Sequence, residues 1–339
     1  MKNIVVSDEY NELDLKPSEL IEQYAQMVEE DVANFFVNSG KLVECACPLC
    51  GAKIHKDSFK KFKMQYKECD CCKALYISPR PDDKIIKEFY VNSNSRKFWQ
   101  EKLLKATNET RKEKILKPRF EWIADSTKEF LPDAIHWADI NTNQYGYIGE
   151  MLNIDFPKEK ILINPFIKEE NIRDQSKVSI LMDENWSEKL EGQVDIVSLF
   201  EVIDRTSDLN ALMKNIDKAL KPGGLIFITS ILSSGFDIKE LWDQSDNIYP
   251  PDRLNVSSIN GLNILFKRFG LECLEFSTPG ILDLEIVLSA IKNNSDVSIS
   301  RFARELAESK DENMKLAFQE FLQANRLSSY GRILLKKKG

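Results

Sequence analysis

Six of the seven cysteines fall between residues 45 and 72, and four of them form two C-x2-C pairs, Cys47-Pro-Leu-Cys50 and Cys69-Asp-Cys71-Cys72. The 18 residues 51–68 separate the pairs. Thiolates at this spacing can close a tetrahedral shell around Zn2+, with a hairpin spanning the gap. Four sulfurs fill that shell and leave no position for water, so the expected zinc is structural. Cys45 and Cys71 are surplus; Cys71 competes with Cys72, but only Cys69 and Cys72 make the x2 spacing. His55, in a lysine-rich loop, is expected at the surface rather than on the metal. Phe62, Met64 and Tyr66 alternate with Lys61, Lys63, Gln65 and Lys67, which predicts a ribbon strand with one packed and one solvated face. The same lysines could instead form an electropositive face beside a cleft.

A second stretch with chemical content is Trp137–Met151, "WADINTNQYGYIGEM". A short strand, 134–140, runs into polar residues and then into a helix-like segment. This is the layout of a nucleotide-binding strand, loop and helix, with almost no glycine in the loop. Further on, Glu201 and Asp204 follow the apolar run "VDIVSLF" and are the carboxylates best placed to act as a base; capping or an ion pair is the alternative.

The elements that must hold these residues read as follows. Residues 1–40 are expected as a helical segment, with Leu20, Ile21, Tyr24, Met27, Val28, Val32 and Phe35 at amphipathic spacing. Residues 41–80 form the cysteine ribbon. Residues 81–131 read as a helical connector that Pro118 bends or restarts. From 132 to 291 short apolar runs ("AIHWADI", "KILIN", "VSILM", "VDIVSLF", "GLIFITS", "LECLEF", "LEIVLSAI") alternate with helical patterns, which predicts an α/β domain with a parallel, helix-covered sheet. The clearest helix is capped by Ser207 or Asp208, and "KPGG" ends it. Residues 292–339 are expected as an appended helical tail, with Lys336–Lys338 as its solvated end.

The 339 residues carry a net charge of −7, from 54 acids and 47 bases, which weighs against a nucleic-acid-binding domain; the exception is 53–67, with six lysines and one acid. No apolar run reaches the ~18 residues of a membrane span. The first residues show no signal-peptide pattern, so a cytoplasmic location is expected.

The stretch "VDIVSLFEVIDRTSDLNALMKNIDKALKPGGLIFITS" resembles the fourth strand, helix and fifth strand of class I S-adenosylmethionine-dependent methyltransferases, "LKPGG" above all. "YPPDRLNVSSINGLNILFKRFGLECLEFSTPGILDLEIV" is similar to their late segment. "CPLCG…CDCCKALYISPRP" is similar to the zinc ribbon that precedes this domain in bacterial enzymes of sugar and surface-glycan biosynthesis. The resemblance implies a Rossmann-like sheet, preceded by the ribbon and helical segments. It implies S-adenosylmethionine near Asp139, Asn141, Asn143, Asn164, Asp183 and Phe200. Asp139 keeps the strand-end acid, whereas Asn141, Asn143 and Tyr145 stand at the glycine positions of D-x-G-x-G-x-G. Asn164 replaces the acid that holds the ribose hydroxyls. Asp204-Arg205 stands where the family has Glu-His, and Arg253 replaces the histidine of Pro-Pro-x-His.

Two readings follow first. One is a methyltransferase acting on an anionic, sugar-containing small molecule such as a nucleotide-linked sugar, with Glu201 or Asp204 as base and Arg205 and Arg253 gripping the anion. The other is a catalytically reduced relative that binds a glycan precursor or a partner enzyme. A third, a ribbon-bearing RNA-modifying enzyme, has the ribbon lysines for it and the net acidity against it. S-adenosylmethionine is expected to bind more weakly than in relatives with a glycine loop. Exchanging the ribose-binding acid for Asn164 removes a charge-assisted bond of about 1.5–3 kcal/mol, roughly ten- to a hundredfold in affinity. Calorimetric titration checks this, and a sub-micromolar dissociation constant would contradict it.

Overall fold

The computed structural model describes residues 2–6, 12–38, 42–140, 147–164, 178–181, 185–294 and 296–339. Ahead of the sheets, helix α1 (Ser18–Val32) buries Tyr24, Val28 and Val32 on one face. The ribbon strands β1 (His55–Lys61), β2 (Met64–Cys69) and β3 (Leu75–Ile77) pair antiparallel. Helix α2 (Lys117–Phe130) carries Pro118 in its first turn, directly after the wide helical turn Lys112–Leu116, so the proline stands where the helical connector changes its winding and restarts.

The central sheet follows: β4 (His136–Ile140), β5 (Glu159–Ile163), β6 (Val178–Leu181), β7 (Val194–Phe200) and β8 (Leu220–Ile231). Between β7 and β8 lies α3 (Leu209–Ala219), capped by Asp208, whose carboxylate accepts from Ala211 N at 3.0 Å. β9 (Asn255–Val256) leaves the central sheet and joins the ribbon instead. After it come α4 (Ile259–Arg268), β10 (Leu271–Ser277), α5 (Asp283–Asn293), α6 (Arg301–Glu308), α7 (Glu312–Ala324) and β11 (Tyr330–Lys337). The seven strands are ordered β10-β11-β8-β7-β4-β5-β6. All the pairs around β4 are parallel, and only β11 runs antiparallel to its neighbours β8 and β10. The expected α/β, Rossmann-like sheet is therefore present. Every residue of β7 is buried, as a parallel strand covered on both faces requires.

Two expectations are corrected. "LEIVLSAI" is not a strand but most of α5, since its apolar residues repeat at helical spacing and bury only one side. The end of the chain is not a helical tail. Two helices are followed by β11, which inserts between β8 and β10, with Ile333, Leu334 and Leu335 fully buried. Lys337 is no solvated end: its ammonium meets Asp217 at 2.9 Å.

The ribbon is not a separate body. Its sheet is ordered β9-β3-β2-β1, so the edge strand belongs to the α/β domain. Cys47, Leu49, Cys69, Cys72, Ala74 and Tyr76 share one apolar core with Val197, Leu199, Leu262 and Leu265. The two cysteine turns are copies of one another. Cys47 N donates to Ala52 O and Gly51 N to Cys47 O; likewise Cys69 N donates to Ala74 O and Lys73 N to Cys69 O, all at 2.8–2.9 Å. Gly51 and Lys73 both take left-handed backbone, φ 78° and 64°. The turns bring the four sulfurs within 4.8 Å of one another, with Cys47–Cys72 at 3.6 Å and Cys50–Cys69 at 3.5 Å. A Zn–S bond of about 2.3 Å puts tetrahedral sulfurs roughly 3.8 Å apart, so these four are close enough to hold a metal ion.

Elemental analysis of purified protein is expected to find one zinc per chain. The double variant Cys50→Ser/Cys72→Ser should lose it, and the ribbon should unfold first because its own apolar residues are few. Absence of zinc from the wild type, or its retention in the variant, would refute the assignment.

Candidate functional site

A cavity of about 310 Å3 opens at the carboxyl ends of β7 and β8, large enough for a small ligand. Its walls include the N-terminal helical segment with Tyr24, the connector with Trp99 and Arg119, residues 246–253 with Tyr249, Asp252 and Arg253, and parts of 279–286 and 329–332. Glu201 enters it directly past β7. Its backbone is left-handed, φ 59° and ψ 18°, the turn that ends the strand and starts the short helix Val202–Arg205.

Three guanidinium groups converge on Glu201. Arg119 Nη2 lies 3.0 Å from Oε1, Arg253 Nη2 2.9 Å from Oε2, and Arg205 Nη2 3.6 Å from the same oxygen. Burial by itself would raise this carboxyl; Arg253, Arg119 and Arg205 together outweigh it and hold Glu201 well below the usual carboxylate range. A second carboxylate, Asp252, takes Arg205 Nε at 3.2 Å and accepts from Tyr24 and Tyr90 hydroxyls at 3.2 and 2.9 Å. Burial raises both phenols, so they stay neutral donors. Arg119 also donates to Tyr330 Oη at 3.0 Å and lies over the Phe200 ring at 5.2 Å.

Neither carboxylate expected as a base presents itself as one. Glu201 is clamped between guanidinium groups, which stabilise its charged form and lower its basicity. Asp204 has no exposed surface and does not line the cavity. It accepts from Ser230 Oγ at 2.5 Å and Ile231 N at 3.1 Å, with Arg253 Nη1 at 3.6 Å. Burial pushes Asp204 up to about 6, only partly offset by Arg253 and by those two bonds.

Arg205 and Arg253, expected on the substrate side of the cleft, both line the cavity, each paired with carboxylates. Lys16, Arg111, Lys114 and Arg332 add cationic character to the same walls, against Glu12, Asp246 and Asp283. Lys114 makes no ion pair among the described residues. Arg119 was not foreseen. It lies on a helical face 82 positions before Glu201, and nothing local distinguishes it from the connector's other bases. Of the expected cofactor residues, Asp139, Asn164 and Phe200 sit at or just past the ends of the adjacent strands β4, β5 and β7. Asp139 accepts from Ser198 Oγ, and Asn164 N donates to Leu181 O at 3.0 Å. Asn141, Asn143, Tyr145 and Asp183 lie outside the described residues.

Asp204 supplies a pH test. Its folded value near 6 lies above the ordinary 3.8, so the folded state keeps a proton that the unfolded state gives up between these values. Its presence therefore costs stability as pH rises through that window, on the order of 3 kcal/mol in full. Urea midpoints are expected to show Asp204→Asn gaining on wild type between pH 4 and 7 and levelling off above. A difference independent of pH would exclude a proton-holding Asp204.

A family model agrees with this fold. Residues 129–275 match a family model described as a methyltransferase domain. No curated protein sequence matches the chain. Among solved structures, the plantazolicin methyltransferase BpumL in complex with SAH is 11% identical, with a TM-score of 0.44 over 75% of this chain and 94% of that one. A phosphoethanolamine N-methyltransferase of Haemonchus contortus is 15% identical, with a TM-score of 0.43 over 78% of this chain and 63% of that one. The sheet order and the matched segment together give the chain a methyltransferase-like Rossmann fold.

Proposed function

We propose that the chain is an S-adenosylmethionine-dependent methyltransferase whose acceptor is an anionic, sugar-containing small molecule held in the arginine-lined cavity, with zinc in the ribbon. The observation that carries this reading is the convergence of Arg119, Arg205 and Arg253 on the strand-end Glu201 inside a cavity of about 310 Å3. Bound S-adenosylmethionine would supply an electrophilic methyl group. Asp139, Asn164 and Phe200 at the strand ends, together with Asn141, Asn143 and Asp183 of the expected set, are the residues that would hold it. Trp99, Tyr24 and Tyr249 add aromatic surface to the cavity wall, and the guanidiniums offer planar, bidentate contacts to phosphate. The protein's part in the transfer is to align the acceptor and keep water from it. Neither Glu201 nor Asp204 takes the acceptor's proton in this reading.

One observation favours a second reading, a catalytically reduced protein that binds such a ligand. Glu201 is engaged as a counter-ion, and Asp204 is buried in hydrogen bonds to Ser230 and Ile231, leaving neither as a free base.

Thermal-shift titration with nucleotide-sugars and with short RNA, paired with a methyl-transfer assay, separates these. Nucleotide-sugars should stabilise the protein. Lys114→Ala, which breaks no ion pair, should weaken that binding roughly two- to fivefold. Stabilisation by RNA and not by nucleotide-sugars would reject the acceptor class. Binding without transfer would select the second reading.

A further inference from the structure

The segment that carries Tyr249, Asp252 and Arg253 to the cavity wall is gripped by the ribbon from two sides. At the ribbon's hairpin tip, Phe62 stacks on Tyr249 with ring centroids 5.5 Å apart and planes within 7°. Lys61 Nζ donates to the Ser245 carbonyl beside it. Further along the ribbon, Tyr66 Oη donates to the Arg253 carbonyl at 2.8 Å, and Ile77 N donates to Leu254 O at 2.9 Å. β9 then pairs with β3, Asn255 opposite Tyr76 and Val256 opposite Leu75. The buried Arg80 guanidinium adds a bond to Asn255 Oδ1 at 3.0 Å.

The strands that carry Tyr66 and the backbone anchors run into the cysteine turns. β2 ends in Cys69, β3 begins three residues after Cys72, and Ser258 Oγ donates to the Cys72 carbonyl at 2.5 Å. Tyr66 itself has no exposed surface and is stacked on Phe59 at 4.9 Å, so its hydroxyl has one fixed direction. The carbonyl it holds belongs to the residue whose guanidinium reaches Glu201 at 2.9 Å. Between the metal turns and the cavity wall there is thus a continuous path of backbone pairing and one buried tyrosine.

We propose that the cysteine turns are a positioning device for the cavity: metal bound there sets the backbone of Asp252 and Arg253 through β3 and the positioning residue Tyr66. Metal and cavity ligand then bind cooperatively, each raising the affinity for the other by the same factor. The ligand half of this rests on the reading of the cavity under Proposed function; the backbone half does not.

Hydrogen–deuterium exchange of the full chain, zinc-loaded and chelator-treated, tests the backbone half without any ligand. Amides of residues 254–256 should lose protection together with 64–77, while 194–200 and Ser257, whose N–H donates to the Ile231 carbonyl of β8 at 3.1 Å, stay protected. Retained protection at 254–256 with the ribbon open would overturn the proposal. Should chelation unfold the whole chain, zinc-loaded Tyr66→Phe decides. It keeps the stacked ring, so zinc content should match wild type while exchange across 250–256 rises roughly two- to tenfold. Unchanged exchange there would overturn the role of Tyr66. Because exchange needs no acceptor, failure of nucleotide-sugar binding would remove the ligand half and leave the backbone half standing, and loss of the coupling would leave the acceptor assignment standing.

Discussion

The carboxylate of Glu201 is the counter-charge around which the cavity is built. Three guanidinium groups brought from three distant parts of the chain could not share that space without it, since like charges a few ångströms apart repel strongly once water is excluded. Arg119 comes from the connector, Arg205 from the turn after β7 and Arg253 from the segment before β9, and the first two carry side-chain exposures of only 13% and 8%. Burying such charges is favourable only when each finds a partner and further hydrogen bonds. Asp252 with Tyr24 and Tyr90, and Asp204 with Ser230 and Ile231, complete that set. The left-handed backbone at Glu201 costs about 1–2 kcal/mol, and the ion pairs it makes possible offset that strain.

Such an arrangement separates binding from proton transfer. Surrounding a carboxylate with permanent cations stabilises its charged form, and a stabilised carboxylate is a poor base. The same guanidiniums, held rigid by their counter-ions, are well placed to orient an anionic ligand at little further cost in side-chain entropy. Asp204 shows the opposite environment in the same strand-end turn. Full burial raises its proton affinity, yet its carboxylate does not line the cavity.

The ribbon shows how a segment with little apolar material of its own becomes part of a larger core. Its cysteine turns pack against α4, where a Cβ at Gly261 would meet Cys72 Sγ and Leu49 at 3.1 Å, so only glycine lets the helix approach so closely. Its outer strand is completed by β9 of the α/β domain. Four thiols gathered in that interface would be poorly accommodated as free groups, and a metal ion would satisfy them together. Among the described residues no helix is long and apolar enough to cross a membrane.

Much of the architecture was written in local pattern. The paired C-x2-C spacing located the four sulfurs because a knuckle is a short-range structure, closed by its own backbone bonds. Alternating apolar runs located β4 to β8 because strands buried on both faces need unbroken apolar stretches. Arg205 and Arg253 were legible as cavity residues because Arg205 follows β7 and Arg253 stands at the histidine position of the late Pro-Pro-x-His pattern. What tertiary structure alone decided depends on pairings with no local signature. β11 reads as a basic tail until β8 and β10 supply partners on both sides. "LEIVLSAI" is apolar enough for either strand or helix, and its packing beside α6 and α7 selected helix. Arg119 became a site residue only through the approach of a helix to a strand end 82 positions away. The protonation of Asp204 and the quenching of Glu201 follow from burial and from the company of charges, which are properties of the folded arrangement and of no single stretch of sequence.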